Sequence, residues 1–221
     1  MTQKVAFAFT DHPGWPASDA GDTYLGYRVH DLNPRFVSDM SIDYARALAV
    51  LDYKTGDRWV KDKSGFETEI ARWKWILRNR PEIVAFRSWL AARDGRRVPF
   101  WSETEGTDMK VVATIGASDS SIQIENIGYQ RFINARADRR HIAIRLVTGE
   151  AYYRQITGST EISSTVEQLA IDTTLGVSVE PSQIASVRFL RLSRLEADTI
   201  EIDWHNLALA ESTAATRSLP S

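Results

Sequence analysis

Apolar and polar residues alternate along much of this chain, and this period of two predicts β-strands with one buried face. The clearest example is residues 66–77, whose apolar side chains share one face: Ala71, Trp73, Trp75 and Leu77. The same alternation predicts strands at residues 141–146, 152–156, 160–173, 184–195 and 198–204, with shorter ones at 5–9, 24–29 and 109–115. The chain is therefore expected to be mainly β.

Residues 81–94 have a different period, because their apolar residues are spaced as on one face of an α-helix. The members of this stripe are Ile83, Phe86 and Leu90. Pro81 suits a first helical turn, where its missing N–H would have no intrahelical partner. Gly95 can adopt the left-handed conformation that ends a helix. We therefore predict one prominent helix at about residues 81–94, packed on the sheet.

The segment at residues 44–53 is compatible with two structures. Its alanines favour a helix. Its length and the turn residues 54–57 instead favour the first strand of a hairpin, with residues 58–61 as the return strand. Residues 11–22 are rich in Pro, Gly and Asp, so we predict a surface loop there that contacts a neighbouring molecule.

A change in composition near residues 103–108 is the candidate boundary between two halves. We predict a β-rich domain with the single long helix at residues 1–105. A second half resembling a β-sandwich is predicted at residues 106–210. The small, polar residues 211–221 are predicted to form a flexible tail. The expected fold class is thus mainly β, one or two sandwiches with a helix on the sheet.

Composition narrows the possible functions. The chain has 221 residues and a net charge of -2, so no overall basic field indicates nucleic acid as a partner. It has no cysteine, which excludes disulfides and thiolate chemistry. No stretch approaches the roughly 20 apolar residues that a membrane helix needs. We therefore expect neither nucleic acid nor a membrane among its partners.

Candidate catalytic groups do not form a recognisable pattern. The four histidines are scattered, and only His12, next to Asp11, has a suggestive neighbour. Glu103 and Glu105 lie two residues apart, the spacing that places two carboxylates on one strand face, as a glycosidase pair would require. A solvated loop explains them more simply. Two acidic residues of a later strand, Glu201 and Asp203, also share one face and could bind a divalent cation. A charged outer strand face explains them more simply. We predict no enzymatic activity, no cofactor and no bound metal.

Arginines form the densest charged group, around the C-terminal end of the predicted helix. They are Arg87, Arg93, Arg96 and Arg97, and Arg87 and Arg93 are expected to point away from the apolar stripe. Arginine is enriched in protein interfaces. We predict that these four residues, together with Trp15 of the early loop, belong to an interface with other protein subunits.

Two segments resemble proteins of phage tails. The first is residues 86–101, in which a helix ending in an R-x-G pattern leads at once into a P-F strand; the matching residues are Phe86, Trp89, Leu90, Arg93, Gly95, Pro99, Phe100 and Trp101. This is similar to the distal tail proteins of the baseplate. The second comprises residues 141–158 and 182–204, which look like tail proteins of siphophages and prophages. Together they contain 57 of the 221 residues.

The resemblance implies a structural protein of the virion tail, assembled in the bacterial host cytoplasm. Copies of it would form a closed ring, six-fold like the tail tube, which connects the tail tube protein to the baseplate hub protein. Two alternatives remain open: a minor tail or hub protein of the same particle, and a β-sandwich module that binds carbohydrate or a receptor. For the latter, Trp15 or Tyr24 would stack on sugars.

Overall fold

The structure is a computed structural model that describes residues 4–6, 21–30, 41–52, 54, 56, 58–63, 67–134 and 136–220. Its strands are β1 Lys4–Ala6, β2 Thr23–Tyr24, β3 Tyr27–Arg28, β4 Ser41–Ala45, β5 Leu48–Asp52, β6 Arg58–Asp62, β7 Thr68–Leu77, β8 Phe100–Glu103, β9 Ser121–Glu125, β10 His141–Leu146, β11 Ala151–Glu161, β12 Val166–Ile171, β13 Ile184–Leu195, β14 Glu201–Asn206 and β15 Leu209–Ser218. Its helices are α1 Arg80–Arg93, a π-helix Tyr129–Ile133, and 3₁₀ turns Ala137–Arg139 and Pro181–Gln183. The predicted fold class, mainly β with one prominent helix packed on a sheet, is confirmed.

The chain divides into two compact units. One contains Met1–Phe100 and Ser193–Pro220, and the other contains Trp101–Leu192. The predicted halves, 1–105 and 106–210, differ from this division because the C-terminal segment belongs with the N-terminal one. The cause is the pairing of β15 with β7, which lie about 140 residues apart along the chain. Local composition carries no information about such a distant pairing.

In the first unit, antiparallel strands pair in the order β4, β7, β15, β14 and β1. One face of β7 carries the apolar residues that its alternation predicted, and Trp73 and Trp75 are both buried there. Helix α1 contributes its own stripe to the same core, in which Ile83 and Phe86 are buried. Trp75 and Phe86 lie with ring centroids 5.2 Å apart, so helix and sheet meet through aromatic contacts.

The start of α1 has a complete set of capping interactions. Asn79 Oδ1 accepts a hydrogen bond of 2.9 Å from Glu82 N, and the Glu82 carboxylate accepts one from Arg78 N. Pro81 lies in the first turn, as predicted. The end of α1 differs from the prediction in one detail. Asp94 already adopts the left-handed conformation, with φ 48°, and Gly95 follows with φ 62°. These local signals explain why the helix was predictable from sequence.

The prediction of a flexible tail from residue 211 is wrong for residues 211–218. They form most of β15, which lies between β14 and β7. Its small side chains alternate, and Ala214 and Thr216 are buried. Trp73 Nε1 donates a hydrogen bond of 2.8 Å to Thr216 Oγ1. Small residues suggested a flexible chain, but here they allow a central strand to fit beneath large tryptophans.

In the second unit, strands pair in the order β13, β10, β11, β12 and β9, all antiparallel. Its core contains Ile122, Ile142, Ile144, Leu169 and Val187, all nearly inaccessible to solvent. Two sequence predictions need correction here. Residues 160–173 are not one strand, because β11 ends and β12 begins within them. Residues 109–115 form only isolated bridges at Met109, Val111 and Ile115.

Candidate assembly surface

The strands β5 and β6 form an antiparallel hairpin, Leu48–Asp62, which is called the arm here. Of the two structures predicted for residues 44–53, the strand is therefore the correct one. Among the residues that the structure describes, β5 and β6 pair only with each other. At the base of the arm, Lys63 N donates a hydrogen bond of 2.7 Å to Ala47 O, two residues after β4. Arg46 holds this junction through contacts with Asp62 at 3.5 Å and Glu67 at 2.6 Å.

The arm has two faces, because alternate residues of a strand point in opposite directions. Cross-strand pairing assigns one set to the Val face: Leu48, Val50, Asp52, Arg58, Val60 and Asp62. The other set forms the Trp face: Ala49, Leu51, Trp59 and Lys61. Both faces therefore carry a pair of large apolar side chains directly opposite each other.

These apolar side chains are exposed to solvent. Trp59 is 51% exposed and Val60 is 55% exposed, and Leu48, Val50 and Leu51 are exposed to a similar degree. An isolated two-stranded hairpin is at best marginally stable in water. Contiguous exposed apolar surface rimmed by polar residues is typical of a protein interaction site. The arm is therefore the best candidate for a binding surface among the described residues.

The two faces differ in how their charges are balanced. On the Val face, Arg58 Nε lies 3.1 Å from Asp52 Oδ2 across the strand pair, and Asp62 contacts Arg46. On the Trp face, Lys61 lies opposite Ala49, so no carboxylate faces it across the pair. The charges of the Val face are thus neutralised within the chain, whereas the Trp face has a positive charge next to its aromatic side chain.

Arg93, one of the predicted interface residues, is only 2% exposed. Its guanidinium lies over the Phe100 ring, 5.6 Å from the centroid, and donates to Pro99 O at 3.2 Å. Burial lowers the pKa of Arg93 to about 10. The expectation that Arg93 points away from the apolar stripe is therefore wrong. A cation–π contact lets the long side chain complete the core between helix and strand.

The other predicted interface arginines are more accessible. Arg87 is half-buried, and this burial lowers its pKa. Arg96 and Arg97 are exposed, and each has a carboxylate partner: Arg96 pairs with Asp198, and Arg97 with Asp94. A role for these three in an interface remains a prediction. Trp15, with the rest of the predicted loop up to residue 20, lies outside the described residues.

Glu103 and Glu105, the predicted carboxylate pair, both bind arginines within the second unit. Arg145 Nε donates to Glu103 Oε1 at 2.6 Å, and Arg191 Nη2 donates to Glu105 Oε1 at 2.7 Å. The pKa of Glu105 is raised, chiefly because burial disfavours its charged form. Ion pairing of this kind positions the segment after β8 against β13. Each of the two carboxylates thus has an arginine partner.

His141, the first residue of β10, is buried. It is 6% exposed and packs against Trp101, with ring centroids 4.7 Å apart. Burial lowers its pKa. Among the described residues, no three His, Cys, Asp or Glu side chains are grouped so as to hold a metal ion. His12 lies outside those residues.

Sequence reasoning missed a fully buried carboxylate, that of Glu167. Its two oxygens accept hydrogen bonds from Ile127 N at 3.2 Å, Tyr129 N at 2.9 Å and Gln130 N at 3.2 Å. Glu167 thereby caps the start of the π-helix, where free N–H groups favour an anion. In the sequence it is only one more acidic residue in an alternating strand, so no local signal distinguishes it.

Tyr24, one of two aromatic residues considered for sugar stacking, is 8% exposed and belongs to the core. This removes one of the two residues on which the carbohydrate-binding alternative depended. Within the described part of the chain, no helix is both long and apolar enough to cross a membrane. No protein-family model matches the chain, and no curated protein matches it.

Proposed function

We propose that this chain is a structural subunit of a phage tail tip, similar to a distal tail protein. Copies form a closed ring that connects the tail tube to the baseplate hub, six-fold because tail tubes of this kind are six-fold. The chain acts in assembly of the tail. The similarity of residues 86–101 and 141–204 to phage tail proteins is the reason for proposing this family.

The observation that supports an assembly role is the arm. Five large apolar side chains lie half exposed on a ribbon that pairs with no further described strand. Interface residues of this kind are covered when subunits associate, because burial of apolar surface is the main driving force of association. A subunit that works only within a larger assembly is expected to carry such a surface.

Quantitative mass spectrometry of purified tails tests the proposal. The expected result is this chain at six copies per particle, in a fixed ratio to the tail tube and hub proteins. A matched sample of tail-less heads serves as the control and should lack the chain. The proposal fails if the chain is missing from purified tails, or is equally abundant in heads.

The alternatives predict different results in the same sample. A minor tail or hub protein would be present at a copy number other than six per tail. A carbohydrate- or receptor-binding module would bind on a glycan array as the purified chain. No specific contact among the described residues favours either alternative over the ring subunit.

A further inference from the structure

We draw no further inference here: the strongest candidate, the exposed apolar arm formed by β5 and β6, carries none, because its residues 48–62 have no net charge and nothing in the structure shows what covers it.

Discussion

Asp198 occupies the space that a side chain on Gly95 would need. An ideal Cβ on Gly95 would lie 2.6 Å from Asp198 Oδ1, well inside van der Waals contact. The same carboxylate accepts hydrogen bonds of 3.0 Å from Arg96 N and Arg96 Nε. The glycine thus does more than end α1: it lets the loop before β14 bind the turn after the helix.

Gly95→Ala is expected to lower the free energy of unfolding by about 1–3 kcal/mol. Two causes add, since the backbone has φ 62° and the new methyl group displaces the Asp198 carboxylate. Chemical denaturation of the wild type and variant measures the loss.

Gly176→Ala is the control for this variant, because Gly176 has φ 78°, nearer to that of Gly95, with nothing within 4 Å of its Cβ position. It carries the backbone strain without the clash and should cost less. Equal losses at the two positions would show that Asp198 makes no difference.

The sequence allowed the helix to be predicted because its signals are local. Pro81, the stripe through Phe86 and the glycine stop all lie within fifteen residues of each other. The hairpin of the arm was likewise one of two local solutions. By contrast, the central position of β15 depends on pairing with β7, which is distant in sequence. The burial of Arg93 depends on how the chain turns back after α1 and places the Phe100 ring against its guanidinium. A pattern of single residues does not specify such contacts.

The candidate surface illustrates the same limit. The sequence indicated an assembly role but assigned it to the arginines around the end of α1. A hairpin was one of two structures that residues 44–53 allowed, and neither interpretation indicated that its apolar side chains would be exposed. Only the structure shows that Val60 and Trp59 are both exposed, so that neither face is covered by the part of the chain that the structure describes.

Arg93→Ala is expected to destabilise the protein by about 2–4 kcal/mol, because it removes a buried stem and leaves a cavity beside Phe100. Arg93→Met keeps most of the volume and should cost roughly half as much. Arg97→Ala, at an exposed position on the same turn, is the control and should stay within about 0.5 kcal/mol. Thermal unfolding compares the three. A loss in Arg97→Ala as large as that in Arg93→Ala would contradict the burial argument.

Glu167→Gln is expected to cost about 2–4 kcal/mol, because hydrogen bonds to a charged acceptor contribute about 1.5–3 kcal/mol each. The amide replaces one carboxylate oxygen by a donor that faces the N–H groups at the start of the π-helix. Hydrogen exchange should become faster at residues 127–133. Glu150→Gln, in an exposed turn, is the matched control and should leave exchange there unchanged.

Acid is expected to destabilise the second unit through His141. Burial holds the pKa of His141 below the ordinary value of 6.5, with Arg140 acting in the same direction and Asp172 opposing it. Between pH 6.5 and this lowered pKa, the unfolded chain binds a proton that the folded chain does not. The free energy of unfolding therefore falls as pH falls through that window, and it becomes flat with respect to this group below the folded pKa.

His141→Phe should remove this dependence, since phenylalanine keeps the contact with Trp101 and does not titrate. Unfolding followed by tryptophan fluorescence at several pH values from 7.5 to 5 measures the slope. His205→Gln is the control, because His205 is exposed, and it should retain the wild-type slope. The carboxylates whose pKa is lowered by arginine or lysine partners, Glu196 and Glu211, lose their contribution only below about pH 4.5, outside this range. A slope that persists in His141→Phe would therefore place the titrating group elsewhere in the chain.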